Sequence, residues 1–433
     1  MILKNIINIS VLQTKNNTIK QYWSNNITIK NGIIFSFFSF LNSGISFLIL
    51  LVLAKFLPPS EYGRLNLFNS LVVVLNIFII LSSDGLISIE FFKCNIQELR
   101  KFINSSLLIT TGIFFFLSII IILFSSGLES FVGIISYYQW IALLVCFFQS
   151  LPNLALNIWR LEEKPLLYGL FSLFVALLNL ALTLLFVISI KWGWAGRVYA
   201  QLFTGIVFFI ICFYILVKKK YISMAMPSKR HLISVLAFGI PLIPHSLSFW
   251  LKQGLDRYII NYYHAAFAVG IFSFSLNISN ILQIIGVAFN ATNSVYIYKK
   301  LSINKSLAIP VLKKQAKMMI FLFAFLAILL FLGSLFFIPI IFPKYTKSLY
   351  TLPFLIGSSF FQCVYFLFVN YLFYYKKNTA LMIITFTVSL IHCGLSFWLT
   401  RYSLEYTAVI SFFSSFFTTM CVFVVSRKYC RLF

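Results

Sequence analysis

Acid is what this chain has least of: nine Asp and Glu stand against 34 Lys and Arg in 433 residues, and charged residues make up only 10%. With 61% hydrophobic residues and a mean hydropathy of +0.96, that poverty excludes an ordinary soluble domain, about a quarter of which is charged. The seven cysteines, Cys94, Cys146, Cys212, Cys363, Cys393, Cys421 and Cys430, form no CxxC pair and lie mostly in apolar segments. They read as packing or inert thiols. No GxxxxGK[ST] phosphate loop occurs, so nothing points to a bound nucleotide. Residues 1–30 are polar and lack the short apolar core and small-residue cleavage site of a signal peptide, so the first apolar helix is expected to be retained.

Long apolar runs fill the rest. Twelve can cross about 30 Å of hydrocarbon: near 32–53, 65–89, 102–124, 131–151, 166–190, 198–217, 232–258, 267–291, 318–341, 349–371, 379–399 and 407–425. The expectation is an all-α polytopic membrane protein of about twelve transmembrane helices. The 52 Phe sit inside these runs, where they serve as lipid and packing surface rather than as stacking platforms for nucleic acid. The net charge of +25 likewise sits between the runs. It reads as a topology signal rather than a nucleic-acid groove.

Counted loop by loop from an inside start, 25 of the 34 basic residues fall on one side and nine on the other. The basic side is the expected cytoplasmic side, with both termini on it. No loop on the other side exceeds roughly ten to fifteen residues, which leaves no room for a folded external domain. The long basic connections 218–231 and 292–317 would lie against anionic headgroups.

Overlaying the halves at an offset of about 207 residues puts Gly32 and Ile33 on Gly239 and Ile240, and Gly63 on Gly270. Such a repeat suits a transporter built of two related halves. The expected layout is a polar leader 1–30, a six-helix bundle 31–217, a basic linker 218–231, a second bundle 232–426 and a tail 427–433, with a central cavity between the bundles.

Charge inside an apolar run is densest in one segment. "PLIPHSLSFWLKQGLDRYII", Pro241 to Ile260, opens with two prolines that predict a kink and then carries Lys252, Asp256 and Arg257. Each charge at the centre of a span costs about 2.5 to 3.5 kcal/mol on the insertion scale. His245, Lys252 and Asp256 follow i, i+7, i+11 spacing and share one helical face, and Lys252 and Asp256 are an i, i+4 pair able to neutralise each other in part. Snorkelling to the interface would explain the two basic residues, but Asp has a short stem, which favours a wet cavity. A lone His245 is more often simply packed. The eighth span adds Ser273, Asn277, Asn280, Gln283, Asn290 and Ser294 along one side, and the first span carries Ser36, Ser39, Ser43 and Ser46. Such strips are either packing glue or cavity wall. Asp84 and Glu90, near the inner end of the second span, face interface water or the cavity, and Arg64 in "PPSEYGRLNLF" reads as an interfacial anchor.

"AKFLPPSEYGRLNLFNSL" after the first span, together with "FGIPLIPHSLSFWLKQGLDRYII" and "VGIFSFSLNIS", resembles the Wzx-type polysaccharide flippases of the multidrug/oligosaccharidyl-lipid/polysaccharide exporter superfamily. The resemblance covers essentially the whole chain in length and span count. It implies two six-helix bundles facing each other around a cationic cavity. It also implies movement of undecaprenyl-pyrophosphate-linked O-antigen or capsule repeat units from the cytoplasmic to the outer leaflet of the bacterial inner membrane. By the same resemblance Lys252 and Arg257 would meet the anionic headgroup or its sugars, with His245, Asn277, Asn280 and Gln283 beside them. Asp256, with Asp84, is the acidic candidate for charge balance or for coupling to H+ or Na+. No other cofactor, metal or catalytic residue is implied. The partners implied are the lipid-linked oligosaccharide, membrane lipid, and polysaccharide polymerase and chain-length machinery.

Three rivals remain. A polysaccharide polymerase or ligase would need a large external loop, a drug or cation exporter would need acidic residues within its cavity, and a lipid II flippase usually has fourteen spans.

Overall fold

The computed structural model describes residues 27–81, 83–222, 228–303 and 305–430. Most of the polar leader, the middle of the basic linker and the last three residues, Arg431 among them, lie outside these. The described residues are helical almost throughout, with no strand. In order they form α1 (Ile27–Phe56), α2 (Pro59–Ile80), α3 (Ser83–Phe91), α4 (Ile96–Val132), α5 (Ser136–Leu161), α6 (Pro165–Leu184) and α7 (Gly193–Lys218). Then follow α8 (Lys229–Gly239), α9 (Ile243–Gln253), α10 (Leu255–Ile303), α11 (Lys305–Ile341), α12 (Leu352–Tyr374), α13 (Asn378–Leu399) and α14 (Leu404–Cys430).

Among the described residues eleven stretches are long and apolar enough to cross a membrane, and the chain is a polytopic all-α membrane protein. The longest, Lys229–Asn290, has 62 residues and would reach roughly 93 Å as one helix. It is instead two crossings, because the backbone leaves helical geometry at Ala265, with φ 63 and ψ 175. Arg257 and Ser273 stand eight residues to either side of Ala265, and the Arg257 Nε donates to the Ser273 Oγ at 3.2 Å. The chain therefore reverses there, and the crossings among the described residues number twelve.

Proline and left-handed residues set the other interruptions. Pro241 and Pro244 turn the entry to the seventh crossing into a short 3-10 segment, Ile240–Leu242, between α8 and α9, as a missing amide and a fixed φ dictate. The second crossing breaks between α2 and α3 at Leu81, whose φ is 49. Pro58 caps α2 and Pro59 supplies its first position, where the missing N–H costs nothing.

Helix α2 is the seam between the first seven helices and the rest. The Tyr258 Oη donates to the Leu67 carbonyl at 3.1 Å, the Trp250 Nε1 to that of Ser70 at 3.0 Å, and the Ser70 Oγ to that of Gly254 at 3.0 Å. Asn277 donates to the Tyr62 Oη at 2.7 Å, and the Tyr345 Oη to the Leu57 carbonyl at 3.3 Å. These bonds gather on residues 57–70. The "PPSEYGRLNLF" motif thus builds the seam, while Glu61 accepts from the Trp194 amide at the start of α7, at 3.0 Å. Arg64 stays exposed.

At the end of the seam the repeat becomes geometry. A Cβ added at Gly63 would run into the Ala266 carbonyl, and one added at Gly270 into the Pro59 carbonyl. Gly63 and Gly270 are related by the 207-residue offset, and so are Pro59 and Ala266. The same contact is made twice, as across an approximate two-fold axis.

Candidate functional site: a polar cleft beside a buried carboxylate

Two polar groupings lie back to back where α9 and α10 meet α12, α13 and α14. The first is a narrow cleft whose polar lining includes Lys252, Gln253, Asn280, Gln283, Gln362 and His392. Its water-sized space is about 30 Å3, room for a water or a small ion but not for a sugar. Lys252 lies with its Nζ 5.8 Å from the centre of the Phe249 ring, a cation–π arrangement. No carboxylate of the described residues pairs with it. The Asn280 Oδ1 is buried without a hydrogen bond, so an acceptor faces the cleft unused.

The second grouping surrounds Asp256, whose side chain is fully buried. Its carboxylate accepts from the Ser396 Oγ at 2.7 Å, from the His392 Nε2 at 3.0 and 3.1 Å, and from the Ser411 Oγ at 3.3 Å. The His392 Nδ1 is 2.9 Å from the Ser414 Oγ. His392 and Ser396 are one turn apart on α13, and Ser411 and Ser414 are three apart on α14, so two helix faces supply the whole shell. Ser389 ties α13 to α9 by donating to the Ser248 carbonyl at 2.9 Å. A buried carboxylate with this many donors is electrostatically satisfied. His392 and Ser411 also line the cleft, so these two side chains link it to Asp256.

The residues expected from the sequence are thus divided. Lys252, Asn280 and Gln283 line the cleft. Arg257 sits at its expected outer end, held by Ser273 and by its own Nη1 donating to the Gln253 carbonyl at 2.8 Å. Asn277 belongs to the seam, bound to Tyr62. His245 packs its ring edge-on against Phe249 at 5.3 Å and makes no contact with the Asp256 group. Lys252 and Asp256, despite their spacing, form no ion pair. Asp84 lies apart on α3, where its carbonyl accepts from Asn157 and Ser88. Ser36, Ser39 and Ser46 lie on the exposed side of α1, away from its buried Phe38, Ile45 and Ile49. His392, Ser396, Ser411 and Gln362 were not singled out. A histidine one turn from a serine in an otherwise apolar run was the available signal for the first two. Among the described residues no three His, Cys, Asp or Glu converge as a metal site.

Comparison with known proteins adds three findings. The model of a family described as polysaccharide biosynthesis protein matches residues 28–297. Protein 1 of the Lsg locus of Haemophilus influenzae is 28% identical over 347 residues, covering 77% of this chain and 82% of that one. Among solved structures, the lipid II flippase MurJ in an inward closed conformation overlays with a TM-score of 0.71 at 15% identity, over 91% of this chain and 87% of that one. An inward-facing multidrug resistance transporter of the MATE family gives 0.69 at 17% identity, over 89% and 93%. At these identities the overlays establish the shared fold.

Proposed function

The chain belongs to the polysaccharide biosynthesis protein family, and from that premise we propose that it is a flippase for undecaprenyl-pyrophosphate-linked oligosaccharide repeat units of O-antigen or capsule. In this reading it is a transporter, not an enzyme, of the bacterial inner membrane, with both termini cytoplasmic. It hands its cargo to polymerase and chain-length machinery on the far side.

One observation carries the reading: Lys252 and Arg257 lie in the membrane-spanning part, and neither forms an ion pair with a carboxylate of the described residues. A headgroup with about two negative charges leaving an inside-negative cell gains roughly 2 × 2.3 kcal/mol per 100 mV. Fixed cations and amides let that charge pass without meeting hydrocarbon, while the prenyl chain stays in lipid. Rocking of the halves about the α2 seam supplies alternating access without a nucleotide. A drug or cation exporter fits less well, since Asp256, the carboxylate near the cleft among the described residues, is spent on His392 and two serines. We assign coupling to H+ or Na+ to Asp256 with His392 rather than to Asp84, which has no such shell.

Alanine at both Lys252 and Arg257 is expected to leave labelled repeat units on the inner leaflet and to lower surface glycan at least tenfold, with membrane levels unchanged. A charge-assisted bond to phosphate contributes about 1.5 to 3 kcal/mol, and each 1.4 kcal/mol is about tenfold. Full complementation of a deletion strain by the double variant would sink the reading.

Orientation is checked separately. In a background without native cysteines, single cysteines at Ser126, Lys191 and Ser403 are expected to react with an impermeant thiol reagent from outside, and those at Ser228 and Ser302 are not. The reverse pattern inverts the topology.

A further inference from the structure

Far along the chain from that cleft, α7 carries Arg197, Gln201, Thr204 and Phe208 at steps of four, three and four, which is one helical face. Its large exposed side chains Phe203, Val207, Ile210 and Tyr214 lie on another face. Arg197 therefore points into the protein rather than to lipid. Its Nη1 donates to the Asn179 Oδ1 and, at 2.8 Å, to the Thr183 Oγ1, both on α6. Its Nε and Nη2 make no hydrogen bond to the described residues, and no carboxylate among them comes within ion-pair distance.

Its surroundings are polar and incompletely paired. The Gln201 Nε2 donates to the Asn69 Oδ1 of α2 at 3.2 Å. Farther along the same face the Gln201 Oε1 and the Thr204 Oγ1 are buried without a partner, and Thr204 is only 3% exposed. A guanidinium held by neutral groups in a membrane-spanning region is costly to maintain. Orphaned buried polar atoms add to that cost. Packing gains nothing from either. A ligand that comes and goes would satisfy both.

We propose that Arg197, positioned by Asn179 and Thr183, is a second anion site, which takes a phosphate group of the lipid-linked substrate. The inference rests on the flippase reading and extends it to the first half of the chain. The neutral acceptors hold one edge of the guanidinium and leave Nε and Nη2 as a fork for two phosphate oxygens, a geometry Lys cannot reproduce. Depth agrees. Arg197 is four residues past the first residue of α7, about 6 Å along the helix, and Arg257 is eight residues before the reversal at Ala265. Both lie toward the expected outer end, while Lys252 lies deeper. The site suits the headgroup on its way out, and Gln201 and Thr204 below it suit hydroxyls that follow.

The test is binding of geranylgeranyl diphosphate, geranylgeraniol and glucuronic acid to the purified full chain in lipid nanodiscs, with thermal unfolding of each variant. Arg197→Gln is expected to weaken the diphosphate at least tenfold, Arg197→Lys to weaken it less, and neither to alter the alcohol. If Arg197→Gln does not fold, Arg197→Lys carries the test, because loss of the fork alone should still weaken the diphosphate severalfold. Unchanged diphosphate affinity in the folded variants overturns the site, and so does a loss confined to glucuronic acid, which would make the anion a sugar carboxylate. Binding lost in Lys252→Ala but kept in Arg197→Gln overturns this site alone. No diphosphate binding by the unaltered protein overturns the substrate reading beneath it.

Discussion

Alanine at Gly63 or at Gly270 is expected to cut glycan export by roughly fivefold or more without removing the protein from the membrane. In the conformation described, each added Cβ would meet a backbone carbonyl, of Ala266 or of Pro59. A carbonyl in a helix cannot swing aside as a side chain can, so α2 and α10 must separate. Overpacking of this kind costs about 1 to 3 kcal/mol, and that cost falls on the seam-closed state alone. The equilibrium moves toward the alternative state by roughly five- to more than a hundredfold. Gly44 and Gly112 are the controls, since a Cβ at either meets nothing within 4 Å and alanine there should be silent. A reporter cysteine at Leu276, otherwise buried, should gain reactivity toward an impermeant thiol reagent in the Gly63→Ala and Gly270→Ala proteins. Unchanged reactivity together with full export would reduce the paired glycines to ordinary close packing.

The paired contact was only half legible in the sequence. The offset that relates Gly63 to Gly270 can be counted directly, but the count does not say that the two glycines touch across the seam. Apolar length and basic asymmetry made the crossings legible, because hydrocarbon thickness and backbone satisfaction leave few alternatives. The prolines at 241 and 244 announced the irregular entry to the seventh crossing. Ala265 announced nothing. An alanine with positive φ has no sequence signature, and only the gap between two apolar runs marked the reversal.

The facing of Asp256 was illegible for a physical reason. The i, i+4 spacing of Lys252 and Asp256 survives in the structure, since Gly254 between them keeps helical dihedrals of φ −87 and ψ −48, but spacing does not say which partners a carboxylate takes. Gly254 lets the Trp250 ring and the Ser70 hydroxyl approach where a Cβ would stand, which seats this stretch against α2. The partners that capture Asp256 lie 136 to 155 residues away, beyond the reach of any periodicity. The same holds for Arg197, a residue near a helix start that reads as a loop charge until α6 supplies Asn179 and Thr183.

That capture sets the second large effect. Removing His392 leaves a buried carboxylate without one of its three donors, and a buried polar group left short of a hydrogen bond costs about 1 to 3 kcal/mol, more when it is charged. His392→Ala should therefore lower the thermal stability of the purified protein and its level in the membrane. Asp256→Asn with His392→Asn replaces the pair by two amides able to bond each other and Ser396, and should restore much of the level. Stability alone would end there, but ion coupling predicts a second readout. In vesicles loaded with a fluorescent lipid-linked oligosaccharide, an imposed pH gradient should speed translocation by the unaltered protein at least tenfold. The same gradient should leave the Asp256→Asn protein indifferent, with residual exchange intact. If a sodium gradient drives the unaltered protein and a pH gradient does not, the ion is sodium, and His392 serves only to hold the carboxylate in place. An Asp256→Asn protein that still answers to both gradients would move coupling elsewhere and leave the pair as a structural lock between α10 and α13.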